Sequence, residues 1–307
     1  MLRSSSILVA ALSVVPMQLP GLQVSVNLSP PNYPVQTEFA QPGPFATTSR
    51  TVTLGNSATY DVFYPSNYAA LGFASPIVTW GNGTNAVPGM YTTLLSHFAS
   101  YGFTVIATTL TNTGSGREID AAAHYLVDQD STAGSVFDGR LDTSEVAAVG
   151  HSQGATGAVR VATMDPTLIT SLMTFSLPNA FWAGTNPDCP VKADCEKDTS
   201  LLTQPSFFIS TYGPLDAFIA SPSTERAYFK SVKGHAAMGI IATSQGNLAD
   251  HSSVQDTDVK GDPGAELGYA TAWLEYTLRG DPRAAPAFSG PHPELPANIN
   301  WPGSKVK

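Results

Sequence analysis

The sequence is poor in charge, in cysteine and in long apolar runs. Of its 307 residues, 13% are charged and 42% are hydrophobic. Disordered chains combine low hydrophobicity with high charge, so we expect this chain to fold. Its 15 Lys and Arg residues are scattered among 24 Asp and Glu residues, which argues against nucleic-acid binding. A run of about eighteen apolar residues, which a bilayer-spanning helix needs, is missing.

The N-terminus resembles a secretion signal. Arg3 precedes an apolar run from Ile7 to Met17, which is shorter than a membrane helix. We predict a signal peptide over residues 1–26, with cleavage near Val24-Ser25-Val26, and therefore an extracellular or periplasmic protein. The alternative is a buried N-terminal helix.

Cys189 and Cys195 are the two cysteines of the chain, and both lie in a polar, Pro-rich stretch. In an oxidising compartment they would pair and close a small loop, and the alternative is two free thiols. No histidine lies nearby to complete a zinc site, so we expect no metal. We predict that this disulfide ties a short loop insertion near residues 181–203.

Strand-like and helix-like segments alternate between residues 50 and 280 without a linker. Continuous apolar strands are predicted at 76–80, 103–108, 146–149, 172–175 and 207–210, and helices at 91–101, 118–127, 153–164, 225–232 and 266–278. Residues 27–50 are predicted to be an irregular lead-in. The alternation predicts an α/β fold whose mostly parallel central sheet has helices on both faces, in one domain over residues 27–307.

The segment Gly150-His151-Ser152-Gln153-Gly154 fits the pattern G-x-S-x-G between a predicted strand and a predicted helix. A serine in so sharp a turn needs small neighbours, and Gly150 and Gly154 supply them. The start of the helix also directs N–H groups at the serine. We therefore predict Ser152 to be a nucleophile, rather than part of a Gly-rich turn without chemistry.

A serine nucleophile needs a base and an acid. His235 follows Gly234 in a predicted loop and is the first candidate for the base, while His251, in a polar loop with acidic neighbours, is the second. Asp216 follows the strand at 207–210 and Gly213-Pro214, which fits the chain order Ser, Asp, His. We expect Asp216 to orient the base.

Two N–H groups must also stabilise the tetrahedral intermediate. We expect one from Gln153 and the other from Asn82 in the Gly-rich loop after the strand at 76–80, with Gly83 as the alternative. Trp182 and Trp80 are candidate substrate-binding residues, although aromatic residues more often belong to the core.

These motifs resemble the α/β-hydrolases from about residue 40 to about residue 290. Within that superfamily the chain resembles secreted bacterial cutinases and poly(ethylene terephthalate) hydrolases, and also dienelactone-hydrolase-like enzymes. The resemblance rests on the segment 94–106, on Asp142-Thr143 before the elbow, on segment 216–220, on Gly234-His235 and on Gly280-Asp281. It implies a Ser152–Asp216–His235 triad with Asn82 and Gln153 as oxyanion donors. The chain departs from the pattern at Gln153, where the bacterial enzymes usually have Met.

We therefore predict a serine carboxylic-ester hydrolase that forms an acyl-enzyme on a small or polymeric ester. The expectation includes no cofactor, no metal, no nucleic acid, no membrane span and a monomeric protein. The alternatives are an acyltransferase or another enzyme of this fold, and a non-catalytic binding member of it.

Overall fold

The computed structural model describes residues 32–307 except 56–57, 184, 186–188, 190, 245–246 and 257–263. The predicted signal peptide (1–26) and parts of the predicted loop insertion at 181–203 lie outside the described residues. None of the described helices is long and apolar enough to cross a membrane.

Within the described residues, nine strands form one sheet in the order β1-β2-β4-β3-β5-β6-β7-β8-β11. The strands from β3 to β8 run parallel, and β1, β2 and β11 are antiparallel to their neighbours. A separate short pair joins β9 to β10. The strands are β1 Thr47–Thr53, β2 Thr59–Pro65, β3 Ser75–Gly81, β4 Thr104–Thr108, β5 Leu141–His151, β6 Ser171–Phe175, β7 Ser206–Thr211, β8 Ala236–Ile241, β9 Thr243–Ser244, β10 Asn247–Leu248 and β11 Lys305–Val306.

Helices cover both faces of this sheet. The helices are α1 Pro34–Phe39, α2 Thr92–Ser100, α3 Arg117–Asp130, α4 Gln153–Met164, α5 Ala180–Ala183, α6 Pro214–Ile219, α7 Pro222–Ser231, α8 Gly264–Arg279 and α9 Glu294–Ala297. Helices α1, α2 and α8 pack together on one face, and α3, α4 and α7 pack on the other. The predicted mostly parallel sheet with helices on both faces is confirmed.

The core is divided by the sheet into two layers. In β7, Phe207 belongs to the layer under α8, while the next residue, Phe208, belongs to the layer under α7. Ile77 and Val78 divide in the same way in β3. Successive side chains of a strand point to opposite faces, so a strand that is covered on both faces is apolar throughout.

The parallel strands end at a common edge of the sheet. We call this the carboxyl edge, and it carries the residues that follow Gly81, His151, Thr211 and Ile241. The opposite side, which we call the amino edge, carries residues that precede the same strands, such as His235. Strand β3 lies between β4 and β5, so the chain leaves β3 at the point where the strand order reverses. Ligands of α/β sheets bind in the crevice at such a point on the carboxyl edge.

The elements that the sequence did not predict include α1 and β8. Residues 34–39, expected to be irregular, form α1, in which proline occupies the first turn and so loses no helical hydrogen bond. Strand β8 was not predicted, because its sequence Ala-Ala-Met-Gly-Ile-Ile contains small residues that favour strands weakly. Gly239 is required there, since a Cβ atom would lie 2.6 Å from the ring of Trp301.

Candidate active site

Ser152 lies in a tight turn between β5 and α4. Its φ of 55° and ψ of −122° place a non-glycine residue in a strained conformation. The two flanking glycines are required: a Cβ atom on Gly150 would lie 2.3 Å from the carbonyl oxygen of Gly154, and one on Gly154 would lie 2.1 Å from that of Gly81. The turn therefore has the strand-to-helix geometry that the sequence predicts, and it holds the serine at the carboxyl edge.

His251, in the loop after β10, connects Ser152 to Asp216. Its Nε2 atom lies 2.9 Å from the Oγ of Ser152, and its Nδ1 atom lies 2.7 Å from Oδ1 of Asp216. The side chain of His251 is 11% exposed and that of Asp216 is fully buried. The structure thus brings together the predicted serine, the predicted acid and the second of the two candidate histidines.

The polarity of these bonds follows from the donors available. Oδ2 of Asp216 accepts hydrogen bonds from the Ser176 hydroxyl and from both the N–H and the hydroxyl of Thr211. An ionised carboxylate accepts only, so Nδ1 of His251 carries the proton that it donates to Oδ1. Nε2 is then the acceptor for the hydroxyl of Ser152. This is the tautomer that a general base needs.

His235 does not lie near Ser152, so the expectation that placed it there is wrong. It precedes β8 and lies at the amino edge, where its Nδ1 donates to the carbonyl of Lys307 at 2.9 Å. Its ring stacks on Trp273, with ring centres 5.6 Å apart. Burial lowers the pKa of His235, partly opposed by the bond to Lys307. The glycine before His235 marks the beginning of a strand rather than the end of one.

Asp250 joins the loops that carry Asp216 and His251. Its Oδ1 atom accepts from the N–H groups of Leu215 at 3.0 Å, Asp216 at 3.1 Å and His251 at 2.8 Å. Gly213 allows this approach, because a Cβ atom there would lie 2.3 Å from the same oxygen. The sequence did not predict this role for Asp250.

Only one of the two predicted oxyanion donors, Gln153, lines the cavity that opens beside Ser152. Gln153 lines it and is the first residue of α4, so its N–H has no acceptor within the helix. Asn82 is fully buried, and its side-chain amide donates to the carbonyls of Thr108 and Leu110. Asn82 does not line the cavity, which corrects its predicted place. Gly83 and Thr84 line it instead, and the N–H of Gly83 donates to Tyr91 Oη at 3.0 Å.

A cavity of about 520 Å³ opens beside Ser152. Trp182 in α5 lines it and packs edge-on against Phe181 and Phe218. These two rings are 68% and 63% exposed and extend the apolar rim. Trp80 is fully buried among Tyr91 and other core rings and does not line the cavity. Trp80 is therefore a core residue, which corrects the prediction that it binds substrate.

The segment after α5 is held by the predicted disulfide. Cys189 and Cys195 are bonded, with Cα atoms 5.6 Å apart, and both are buried. The guanidinium of Arg160 in α4 donates to the carbonyls of Ala193 and Glu196 in the same segment. The disulfide is confirmed, and this arginine fastens the loop to the helix that begins at Gln153.

Asp120, His124 and Asp165 form a cluster of potential metal ligands at the surface, away from the cavity. Nε2 of His124 lies 3.8 Å from a carboxylate oxygen of Asp120 and 3.4 Å from one of Asp165. The imidazole is 53% exposed. These contacts form a solvent-exposed cluster of a kind that is common without a bound ion.

Comparison with known proteins identifies the family of the chain. No curated protein matches the chain. The PET hydrolase-like family, PETase, matches residues 29–199, which is more than half of the chain. The match includes the elbow and the disulfide and ends before Asp216 and His251. This is a family of polyester hydrolases with the α/β-hydrolase fold. The chain belongs to the PET hydrolase-like family.

Proposed function

We propose that this protein is a serine carboxylic-ester hydrolase in which Ser152, His251 and Asp216 form the catalytic triad. The observation that carries the proposal is the continuous chain of hydrogen bonds from Ser152 Oγ through both ring nitrogens of His251 to Asp216. The family match supports ester hydrolysis independently, because it rests on residues 29–199 and not on the acid or the base.

In this mechanism the Oγ of Ser152 attacks the ester carbonyl while Nε2 of His251 takes its proton. The tetrahedral intermediate collapses when His251 donates that proton to the leaving alcohol oxygen, which leaves an acyl-enzyme on Ser152. Water then repeats the sequence: its oxygen bonds to the acyl carbon while His251 takes its proton. The acyl–oxygen bond to Ser152 then breaks as His251 returns that proton to Oγ, and the acid is released. Asp216 stabilises the imidazolium in both halves of the reaction.

We propose the backbone N–H groups of Gln153 and Thr84 as the oxyanion donors. Gln153 begins α4, where the positive end of the helix dipole adds to the N–H group. The N–H of Gly83 is engaged by Tyr91, so the next cavity-lining residue, Thr84, is the better second donor. This assignment replaces Asn82.

The lining of the cavity supports an uncharged substrate. Its described lining residues include no Asp, Glu, Lys or Arg, so a charged acyl group would be desolvated without a partner. Trp182, Phe181 and Phe218 offer aromatic surface at the rim for an apolar acyl unit. We propose neutral esters, polyesters included, as the substrate class.

We also propose that the protein is secreted and acts as a monomer. The bond between Cys189 and Cys195 supports an oxidising compartment, and hence the predicted secretion. All three proposed triad residues belong to one chain, which supports a catalytically complete monomer.

The test is the variant Ser152→Ala with a p-nitrophenyl butyrate assay and a fluorophosphonate label. We expect turnover to fall by about 10⁴-fold or more and labelling to vanish, while the circular dichroism spectrum stays unchanged. Ser75→Ala is the control, since Ser75 is also buried but lies at the amino edge. Wild-type turnover in a folded Ser152→Ala protein would refute the proposal. Adding competing alcohols checks the reaction class, because transfer exceeding hydrolysis would indicate an acyltransferase.

A further inference from the structure

A buried pair of side chains, Tyr91 and His151, lies beneath the proposed active site. Tyr91 precedes α2 and is fully buried, and His151, the last residue of β5, is 2% exposed. The Tyr91 hydroxyl lies 2.9 Å from Nδ1 of His151. The mechanism proposed above uses neither of them.

Three hydrogen bonds link this pair to two loops of the site. The N–H of Gly83 lies 3.0 Å from Tyr91 Oη, and Nε2 of Gln255 lies 3.0 Å from the same oxygen. On the other side, Nε2 of His151 lies 2.9 Å from the backbone carbonyl of His251. The pair therefore connects the loop after β3, which contains Gly83 and Thr84, with the loop that carries the proposed base His251.

The direction of each bond follows from the fixed groups at the two ends. The carbonyl of His251 only accepts, so Nε2 of His151 carries the proton, and in the neutral ring Nδ1 is then an acceptor. Tyr91 must donate its single hydrogen to Nδ1, which leaves its oxygen to accept from Gly83 and Gln255. Burial lowers the pKa of His151 well below 6.5, with further lowering by His251, so the ring stays in this neutral form.

The fit leaves little room for adjustment. A Cβ atom on Gly83 would lie 2.8 Å from Nδ1 of His151 and 3.1 Å from Tyr91 Oη. The backbone of the loop thus contacts the pair directly, and a displacement of either ring would move Gly83 on one side and His251 on the other.

We propose that Tyr91 and His151 are positioning residues for the reaction at Ser152. They hold the loop of Gly83 and Thr84, which carries a proposed oxyanion donor, at a fixed distance from the base His251. The inference rests on the proposed function. It predicts an effect on kcat, since misplacing the oxyanion donor and the base weakens interactions made in the transition state rather than in substrate binding.

The test compares His151→Ala, His151→Gln and Tyr91→Phe with p-nitrophenyl butyrate. We expect kcat to fall about 100-fold in His151→Ala and about 10-fold in the other two, with KM within about threefold. Gln at position 151 still donates to the carbonyl of His251, so it should rescue part of the loss. The double variant Tyr91→Phe/His151→Gln should lose less than the product of the single losses, because both changes interrupt one network.

His97→Gln and Tyr68→Phe are the matched controls. His97 is a buried histidine bonded to the carbonyl of Phe39 at 2.8 Å, and Tyr68 is a buried tyrosine bonded to Thr104 Oγ1 at 2.7 Å. Neither lines the cavity. We expect both to lower the melting temperature and to leave kcat within about twofold.

The outcomes separate the two proposals. If Ser152→Ala abolishes turnover while Tyr91→Phe and His151→Gln keep wild-type kcat, this inference is overturned and the proposed function stands. Equal losses of kcat in the control variants would also overturn it, because they would reflect stability alone. Wild-type turnover in Ser152→Ala would instead refute the proposed function. Tyr91→Phe removes one oxygen atom and carries the test if His151→Ala does not fold.

Discussion

One histidine precedes strand β8 in the chain and another follows it, and the two belong to different regions of the molecule. His235 directly precedes the strand and lies at the amino edge, packed on Trp273. His251 follows the strand and lies at the carboxyl edge, within hydrogen-bonding distance of Ser152 and Asp216. A strand of this length spans about 20 Å, so the two imidazoles cannot serve the same site.

The two edges differ in what their polar groups contact. At the amino edge His235 donates to the backbone carbonyl of Lys307, and the described contacts of its ring are with Trp273 and Tyr276. At the carboxyl edge the polar side chains meet one another and line a cavity. A polar residue of a parallel sheet therefore belongs to the site at the end of the strand on which it lies.

The largest expected effect separates the two histidines. We expect His251→Ala to reduce kcat by about 10⁴-fold, since Ser152 loses its proposed base, and His235→Ala to change kcat by less than about threefold. Steady-state assays of both variants, with melting curves, measure the difference. A greater loss in His235→Ala than in His251→Ala, with both folded, would reverse the assignment of the two edges.

The next effect concerns Asp216, the proposed acid, at the carboxyl edge. In Asp216→Asn the amide can donate to Nδ1 of His251, which favours the wrong tautomer, so we expect kcat to fall by about 10³-fold to 10⁴-fold. The control is Asp281→Asn, because Asp281 pairs with Arg283 at 2.6 Å away from the cavity. A wild-type rate in Asp216→Asn would show that the acid has no catalytic part.

A smaller effect is expected for Asp250, which joins the loops that carry Asp216 and His251. Asp250→Ala leaves three backbone N–H groups without their acceptor, so we expect kcat about tenfold lower and a loss of about 1–3 kcal/mol in the free energy of unfolding. Asp250→Asn keeps an oxygen at the same place and should retain most of both quantities. If Asn and Ala behaved alike, the three bonds would not position the loops.

The smallest effect on turnover is expected from a titrating group near the amino edge. Glu275 in α8 is buried and bonded to Arg279, and burial raises its pKa from 4.5 to about 7. Between these values the folded protein keeps a proton that the unfolded chain releases, so stability falls as the pH rises from 4.5 to 7.

Glu275→Gln removes this titration. Between pH 4.5 and 7 we expect the free energy of unfolding to fall by on the order of 2–3 kcal/mol less in the variant than in the wild type, with kcat unchanged. Urea unfolding at both ends of this range measures the difference. Parallel stability profiles in the two proteins would contradict the expectation, and a changed kcat would mean that this region contributes to activity.

Local patterns predicted the elements that have strong periodicity. The helix at 153–164 has the predicted bounds, and the buried strands around residues 76–80 and 207–210 lie where continuous apolar runs occur. Strand β8 was missed because Ala, Met and Gly give a weak strand signal. The wrong choice of His235 followed, since without β8 the loop containing His235 could be taken for the end of a strand.

The cavity lining was predicted less well than the elbow. A tight turn needs glycines within two residues of the serine, so Gly150 and Gly154 are visible in the sequence itself. Whether Asn82 or Thr84 faces the cavity depends on side-chain bonds to Thr108 and Leu110, which lie on another strand end. The burial of Trp80 is likewise decided by the packing of Tyr91 against it.

The sequence by itself determined the α/β architecture and the tight turn around Ser152, and it predicted the cysteine pair and the position of Asp216 after a late strand. These features depend on residues that are neighbours in the chain or follow one another along successive strands. Only the tertiary structure decided between His251 and His235, placed Thr84 rather than Asn82 at the cavity, and joined Tyr91 to His151. The reason is that these contacts form between loops far apart in sequence, and the direction of the strands alone brings those loops to one edge of the sheet.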